Sequence, residues 1–177
     1  MRLLALVISL AAQVVAPLVS GMPAEDVRHD LQTMYQKASV AYVAARTLAD
    51  MEAIHRWLDT PDCRFRDVGQ PFRTWAEMRP SVIAGLQTGI TSMTTRIEKI
   101  EVDAQSNTVI ATTQVQGVAR LVDHDGRFGR VGAEHDIETT ATVKDTWVKT
   151  TAQWRRKAHE KIAPNAITAV DGKPLRR

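Results

Sequence analysis

Between Ala24 and about Thr47 the apolar residues Val27, Leu31, Met34, Tyr35, Ala38, Tyr42 and Ala45 recur at steps of three and four, which predicts one long amphipathic helix. A second, shorter helix is expected from Met51 to Leu58, capped by Asp50, with Met51, Ile54, Trp57 and Leu58 on one face. Pro61 ends it, because the residue before a proline is pushed out of the helical region. Cys63 to Val68 reads as a short strand, and Gly69-Gln70-Pro71 as a turn. Thr74 is placed to cap a third helix, Trp75 to about Leu86, which Pro80 is expected to split into two pieces.

After Gly89 the period changes from about 3.6 to two. Met93, Thr95 and Ile97 share a face, and Ile100, Val102 and Ala104 continue it only if one residue is skipped at Glu98-Lys99, the sequence signature of a bulge. Asn107 to Val122 alternates Val109, Ala111, Thr113 and Val115 against Ile110, Thr112, Gln114 and Gln116, a long strand with one buried face. Asp123-His124-Asp125-Gly126 turns the chain, and His135, Ile137, Thr139, Ala141, Val143, Asp145 and Trp147 form one face of the next strand. A turn over Lys149 to Gln153 leads into Trp154 to Ile162, and beyond Pro164 the pattern fades into an expected basic tail over 164–177.

These elements define the α+β class: three N-terminal helices packed on one face of a strongly curved, mostly antiparallel sheet, a cone with one pocket over residues 22–163. No internal repeat, Gly-rich phosphate loop or heptad run interrupts this pattern.

The segment before Ala24 changes the picture. Met1-Arg2 precedes an apolar run from Leu3 to about Val19, followed by Ser20-Gly21-Met22-Pro23, the layout of a signal peptide over residues 1–21 with cleavage after Gly21. An uncleaved anchor is the alternative, since the run is near the lower limit of about 17 residues for a membrane span. Removing 21 of the 177 residues leaves 156, about the size of one domain. The mature protein is expected to be secreted or periplasmic and free of the membrane. Cys63 is the only cysteine, so no intrachain disulfide is possible, and its expected role is that of a small buried apolar residue.

The net charge of +3 and pI of about 9.2 reflect the C-terminal end, where Arg155, Arg156, Lys157, Lys161, Lys173, Arg176 and Arg177 face only Glu160 and Asp171. Without aromatic interleaving or a reading element, this charge predicts a solvated strand face and no nucleic-acid partner. His29, His55, His124 and His159 show no paired ligand spacing, so no metal is expected. Nor does any motif call for a cofactor.

Tyr42-Val43-Ala44 through Asp50-Met51-Glu52-Ala53-Ile54, then Asp62 to Asp67, and Asp145-Thr146-Trp147-Val148-Lys149 with Trp154 after a short turn resemble the nuclear transport factor two-like superfamily, the cone fold that includes SnoaL-like cyclases and ketosteroid isomerase. The resemblance covers roughly Ala24 to Ile162. Compared with ketosteroid isomerase, it implies Tyr42 as a hydrogen-bond-donating tyrosine, Asp67 as the carboxylate base, and Asp145 as a protonated acid beside the substrate oxygen. It also implies a homodimer formed through the open face of the sheet.

The residues themselves leave alternatives open. Asp145 is either an acid kept protonated by burial or a partner of the hairpin backbone. Tyr42 is either a donor or a core residue with a satisfied hydroxyl. Trp57, Phe65, Trp75, His135, Thr139 and Trp147 are the expected pocket-lining residues, although the tryptophans also read as core anchors and His135 as a satisfied inward histidine. Three functions follow as expectations: a small-molecule-binding domain, an acid-base enzyme acting without cofactor as an isomerase, cyclase or lyase on a carbonyl compound, and an interaction protein that dimerises through the open face of its sheet.

Overall fold

The computed structural model describes residues 21–86, 89–103 and 107–175. Residues 1–20, which hold nearly all of the expected signal segment, lie outside them, as do Ala104, Arg176 and Arg177. Among the described residues no helix is long and apolar enough to cross a membrane.

Helix α1 (Ala24–Ala44) buries Val27, Leu31, Tyr35 and Ala38 along one stripe, following the predicted period. Arg28 and Gln32 lie beside that stripe and donate to the carbonyls of Ile97 (3.0 Å) and Thr95 (2.9 Å), fixing α1 across the second strand. Helix α2 (Leu48–Leu58) starts earlier than expected. Thr47 is its cap, and Asp50 is the third residue of a reciprocal capping box: Thr47 Oγ1 accepts from the Asp50 amide while the Asp50 carboxylate accepts from the Thr47 amide. Strand β1 (Asp59–Arg66) follows without a turn, so Pro61 lies within the strand. Helix α3 (Trp75–Leu86) opens on a second capping box between Thr74 and Glu77 and runs unbroken through Pro80. The ring removes the hydrogen bond to the Ala76 carbonyl, but Ala76 is exposed and water can replace that bond.

Strands β2 (Gly89–Asp103), β3 (Thr108–Val122), β4 (Glu134–Lys149) and β5 (Trp154–Lys161) form the expected meander. β1 closes its far side by pairing in parallel with β5, giving the order β1-β5-β4-β3-β2. The β2–β3 register shifts between Ile97 and Lys99, where the phase slip in sequence places it. Such a bulge bends its strand and increases its twist.

The segment beyond Pro164 is not a tail. β6 (Ala166–Val170) pairs with residues 137–140 of β4, and β7 (Lys173–Pro174) pairs with β6. β4 is 16 residues long, and β5 covers only its end from Val143 onward, which leaves the first half free to take β6. Five residues were too few to register as a strand in the sequence pattern.

The core joins Val27 and Leu31 of α1, Ile54 and Leu58 of α2, and Val109, Trp147 and Trp154 of the sheet. Each large side chain taken fully from water contributes about 1.5–3 kcal/mol, so α1 is held by this face. Cys63 is buried, and burial raises its thiol well above the ordinary range.

Candidate functional site

A cavity of about 280 Å³ lies between the three helices and the concave face of the sheet. Leu58, Phe65, Trp75, Met78, Met93 and Trp147 give it an apolar wall. Tyr35, Tyr42, Asp145, Arg156 and His159 bring polar groups to the same wall. Larger hollows of about 360 and 460 Å³ elsewhere on the molecule, lined by groups such as Ser92, Thr94 and Gln116 or Arg64 and Lys157, hold no buried charged residue. Of these hollows, the concave one is lined by the buried charged groups Asp145 and Arg156.

A bulge in β5 assembles the polar wall. Trp147 is opposite Arg156 and Thr146 opposite Ala158, so Lys157 is an extra, exposed residue. Before the bulge Trp154 and Arg156 point inward, and after it His159 does, opposite Asp145. Strict alternation would send one of Arg156 and His159 outward, and the inserted residue turns both to the cavity.

Asp145 is 1% exposed and both of its oxygens are engaged. Oδ2 accepts from the Tyr35 hydroxyl at 2.7 Å, and the Trp147 indole N–H donates to that hydroxyl at 3.0 Å. Oδ1 lies 2.7 Å from His159 Nδ1 and 3.9 Å from Arg156 Nη1. Burial raises the Asp145 carboxyl, but the charges of His159 and Arg156 and the hydrogen bonds from His159 and Tyr35 outweigh it and hold the group below its ordinary value. The acid expected to stay protonated is therefore ionised: desolvation was the one force foreseen for it, and the cations beside it were not. An ionised carboxylate only accepts, so Nδ1 of His159 carries the proton, and Nε2 makes no hydrogen bond with the described residues.

A second carboxylate stands behind the guanidinium. Asp59, at the junction of α2 and β1, is 3% exposed. It accepts from Arg156 Nε at 2.7 Å and Nη2 at 3.3 Å, and its Oδ2 lies 2.8 Å from His55 Nδ1. Burial works against its charge, but Arg156 and His55 keep it below the ordinary carboxylate range. The His55 ring stacks on Trp75, with centroids 4.5 Å apart. Arg156 also donates from Nη2 to the Tyr42 hydroxyl at 3.4 Å. Burial raises both tyrosine hydroxyls, Tyr35 well above its ordinary value, so both keep their protons.

The structure brings Tyr42, Asp145, Phe65, Trp75 and Trp147 to the cavity. Asp67 is not there: it pairs with Arg73 at 2.9 Å and Lys161 at 3.3 Å with its side chain 45% exposed. The turn after β1 carries it past the cavity rim. His135 is also elsewhere, 2.7 Å from Asp171 at the turn between β6 and β7, drawn there by a strand that the sequence did not announce. Thr139 lines the hollow with Ser92 and Thr168 instead. Trp57 is half-buried against the core under the Lys37 ammonium, 4.8 Å from its ring. Tyr35, Asp59, Arg156 and His159 were missed. Asp59, at a helix-strand junction opposite an arginine, carried a weak signal. His159, out of phase with Arg156, carried none without the bulge.

Among the described residues no group of three or more His, Cys, Asp or Glu side chains is arranged to hold a metal ion.

No protein-family model and no curated protein matches the sequence. Solved structures do match the fold. A candidate scytalone dehydratase from Novosphingobium aromaticivorans is 15% identical with a TM-score of 0.53, covering 86% of this chain and 95% of its own. Aln2 from a Streptomyces species is 15% identical with a TM-score of 0.54, covering 80% and 93%. AusH from Aspergillus nidulans is 14% identical with a TM-score of 0.51, covering 86% and 93%. The chain shares the α+β fold of these structures, three helices on a curved, mostly antiparallel sheet. At these identities the likeness extends to the fold and no further.

Proposed function

We propose that this chain binds a small, mostly apolar molecule in the concave cavity and moves a proton on it, with His159 as the acid-base group and Asp145 as the carboxylate that orients it. The observation that carries this reading is the 2.7 Å contact between His159 Nδ1 and a buried Asp145 whose other oxygen is fixed by Tyr35. A base whose orienting carboxylate is itself held in place is the usual arrangement for proton transfer. Nε2 is the atom that takes or returns the proton, and the apolar wall excludes water from the reacting centre. The reading needs no cofactor and matches an isomerase, cyclase or lyase acting on a carbonyl compound.

The experiment has two parts. Native mass spectrometry of protein purified from its own host should reveal a retained small molecule, absent from a Met93→Trp variant whose cavity is filled. A panel of small bicyclic ketones incubated in D2O should then gain deuterium beside the carbonyl with the parent protein and not with His159→Gln. Protein that retains nothing and exchanges no ketone removes the reading.

Two further parts belong to this proposal: the sequence supports export, with the mature chain starting near Met22, and the family resemblance supports pairing of two copies through the open face of the sheet. N-terminal sequencing of exported protein tests the first, and light scattering of the same material the second.

A further inference from the structure

A second hollow, of about 170 Å³, lies against the concave cavity, and Tyr42, Met51, Val82 and Ile90 line both. These four residues form a neck between an inner hollow, which holds His159, and an outer one that continues past Ala45 and Leu86 to the exposed Arg46, Gly85 and Gly89. Tyr42 marks the boundary, its hydroxyl accepting from Arg156 at 3.4 Å. Beyond it the walls are apolar. Arg46 is the one charged side chain among the described residues that line the outer hollow. It borders the opening and spends Nη1 on the Val43 and Ala45 carbonyls at 2.6 and 2.8 Å. Gly85 and Gly89 take no left-handed backbone, and a Cβ added at either would meet nothing within 4 Å. Their missing side chains leave open space at the far end of the hollow, which no feature of the polar wall explains.

We infer that the ligand is a carbonyl compound bearing a long unbranched alkyl chain, with its carbonyl end beside His159 and its chain running through the neck into the outer hollow. The placing of the carbonyl end rests on the proton-transfer reading above, and the chain rests on the shape and lining of the two hollows. A methylene takes about 30 Å³, close to a water molecule's share of the liquid. By that measure the inner hollow of about 280 Å³ takes about nine non-hydrogen atoms and the outer one of about 170 Å³ about five more. A ring system that fills the inner hollow stops at the neck and leaves Met51, Val82, Leu86 and Ile90 facing water. An unbranched chain is the shape that continues from one hollow into the other, and each methylene it buries against those walls adds to binding. A polar chain would lose its hydrogen bonds to water there without gaining a partner from the apolar walls.

The probes are methyl ketones of increasing length, 2-pentanone to 2-tridecanone, with 1-indanone as a ring ketone of about the inner hollow's size. Binding is followed by the fluorescence of Trp75 and Trp147, which line the inner hollow. Affinity should rise about three- to fourfold per methylene and keep rising past 2-octanone, the length that fills the inner hollow alone. Gly85→Phe puts a ring into the open space of the outer hollow and should lower the affinity ratio of 2-tridecanone to 1-indanone at least tenfold. Ile90→Trp, at the neck, should lower the ratio of 2-tridecanone to 2-pentanone by a similar factor. No binding of 2-tridecanone, a plateau at 2-octanone in the parent protein, or ratios untouched by both substitutions overturns the inference. Length-dependent binding without deuterium gained beside the carbonyl would instead remove the proton-transfer reading and leave the chain-binding hollow standing, so the two failures are told apart.

Discussion

The Tyr35 hydroxyl donates to Oδ2 of Asp145 across 2.7 Å, tying the first long helix to the fourth strand at the wall of the cavity. Trp147 donates to the same hydroxyl from two residues along the strand and packs edge-on to the tyrosine ring, centroids 5.3 Å apart. One oxygen thus serves two buried groups. Tyr35→Phe should lower stability by about 1.5–3 kcal/mol, the range for a hydrogen bond to a charged group, because it strips a donor from Asp145 and orphans the Trp147 indole. Urea unfolding should show a lower midpoint with an unchanged slope.

The helices and the meander were legible because their periods are set by burial. Val27 to Ala38 step at helical intervals, and Val109, Ala111 and Thr113 alternate, since one face of each element meets the core. The bulge at Glu98-Lys99 was legible because it interrupts a long run of alternation. The bulge at Lys157 was not, because β5 has eight residues and two of its inward positions, Arg156 and His159, are polar. Phe65, Trp75 and Trp147 of the apolar wall therefore followed from sequence, while Tyr35, Arg156 and His159 of the polar wall and Asp59 behind it did not. Asp67 was placed by resemblance, and the contacts that hold it, Arg73 and Lys161, come from a later turn and the end of β5.

Asp67→Asn should consequently do little. The side chain is 45% exposed and its ion pairs lie at the surface, where such pairs are worth about 0–1 kcal/mol. Stability should change by no more than about 1 kcal/mol, and deuterium exchange of the ketone panel should be unaltered. A tenfold loss of exchange would return Asp67 to the site.

Trp154 is 2% exposed and donates its indole N–H to Asp30 at 3.0 Å, beneath the Lys149 ammonium. Trp154→Ala should cost about 3–5 kcal/mol, as the removal of a large core side chain does. Trp57→Ala, at a half-buried position, should cost clearly less. Thermal melts of the two variants side by side check the order, and equal losses would contradict the burial of Trp154.

Acid should unfold the protein through its buried carboxylates, Asp145 and Asp59 at the cavity and Asp123 in the turn after β3, where, against the effect of burial, the Arg127, Phe128 and Gly129 amides donate to it and hold it below its ordinary value. Asp145 and Asp59 both titrate below their ordinary values in the folded chain, held down by Arg156 and the histidines against the effect of burial. For a group whose folded value is depressed, the stabilisation is fully present above the unfolded value of about 3.9 and is lost as pH falls through the folded value. Below about pH 4 the unfolded chain binds protons that the folded chain refuses, so stability should fall by about 1.4 kcal/mol per pH unit for each such group. Exposed Asp30, Asp50, Asp136 and Asp171 act in the same direction, but salt screens them far more than the buried carboxylates. Denaturant unfolding at about 1 M salt between pH 6 and 2 should therefore keep a steep acid limb, and Asp145→Asn should reduce its slope by about a third. A flat limb in the parent protein would mean that Asp145 and Asp59 hold their protons when folded. The ionised cluster that orients His159 and Arg156 would then be wrong.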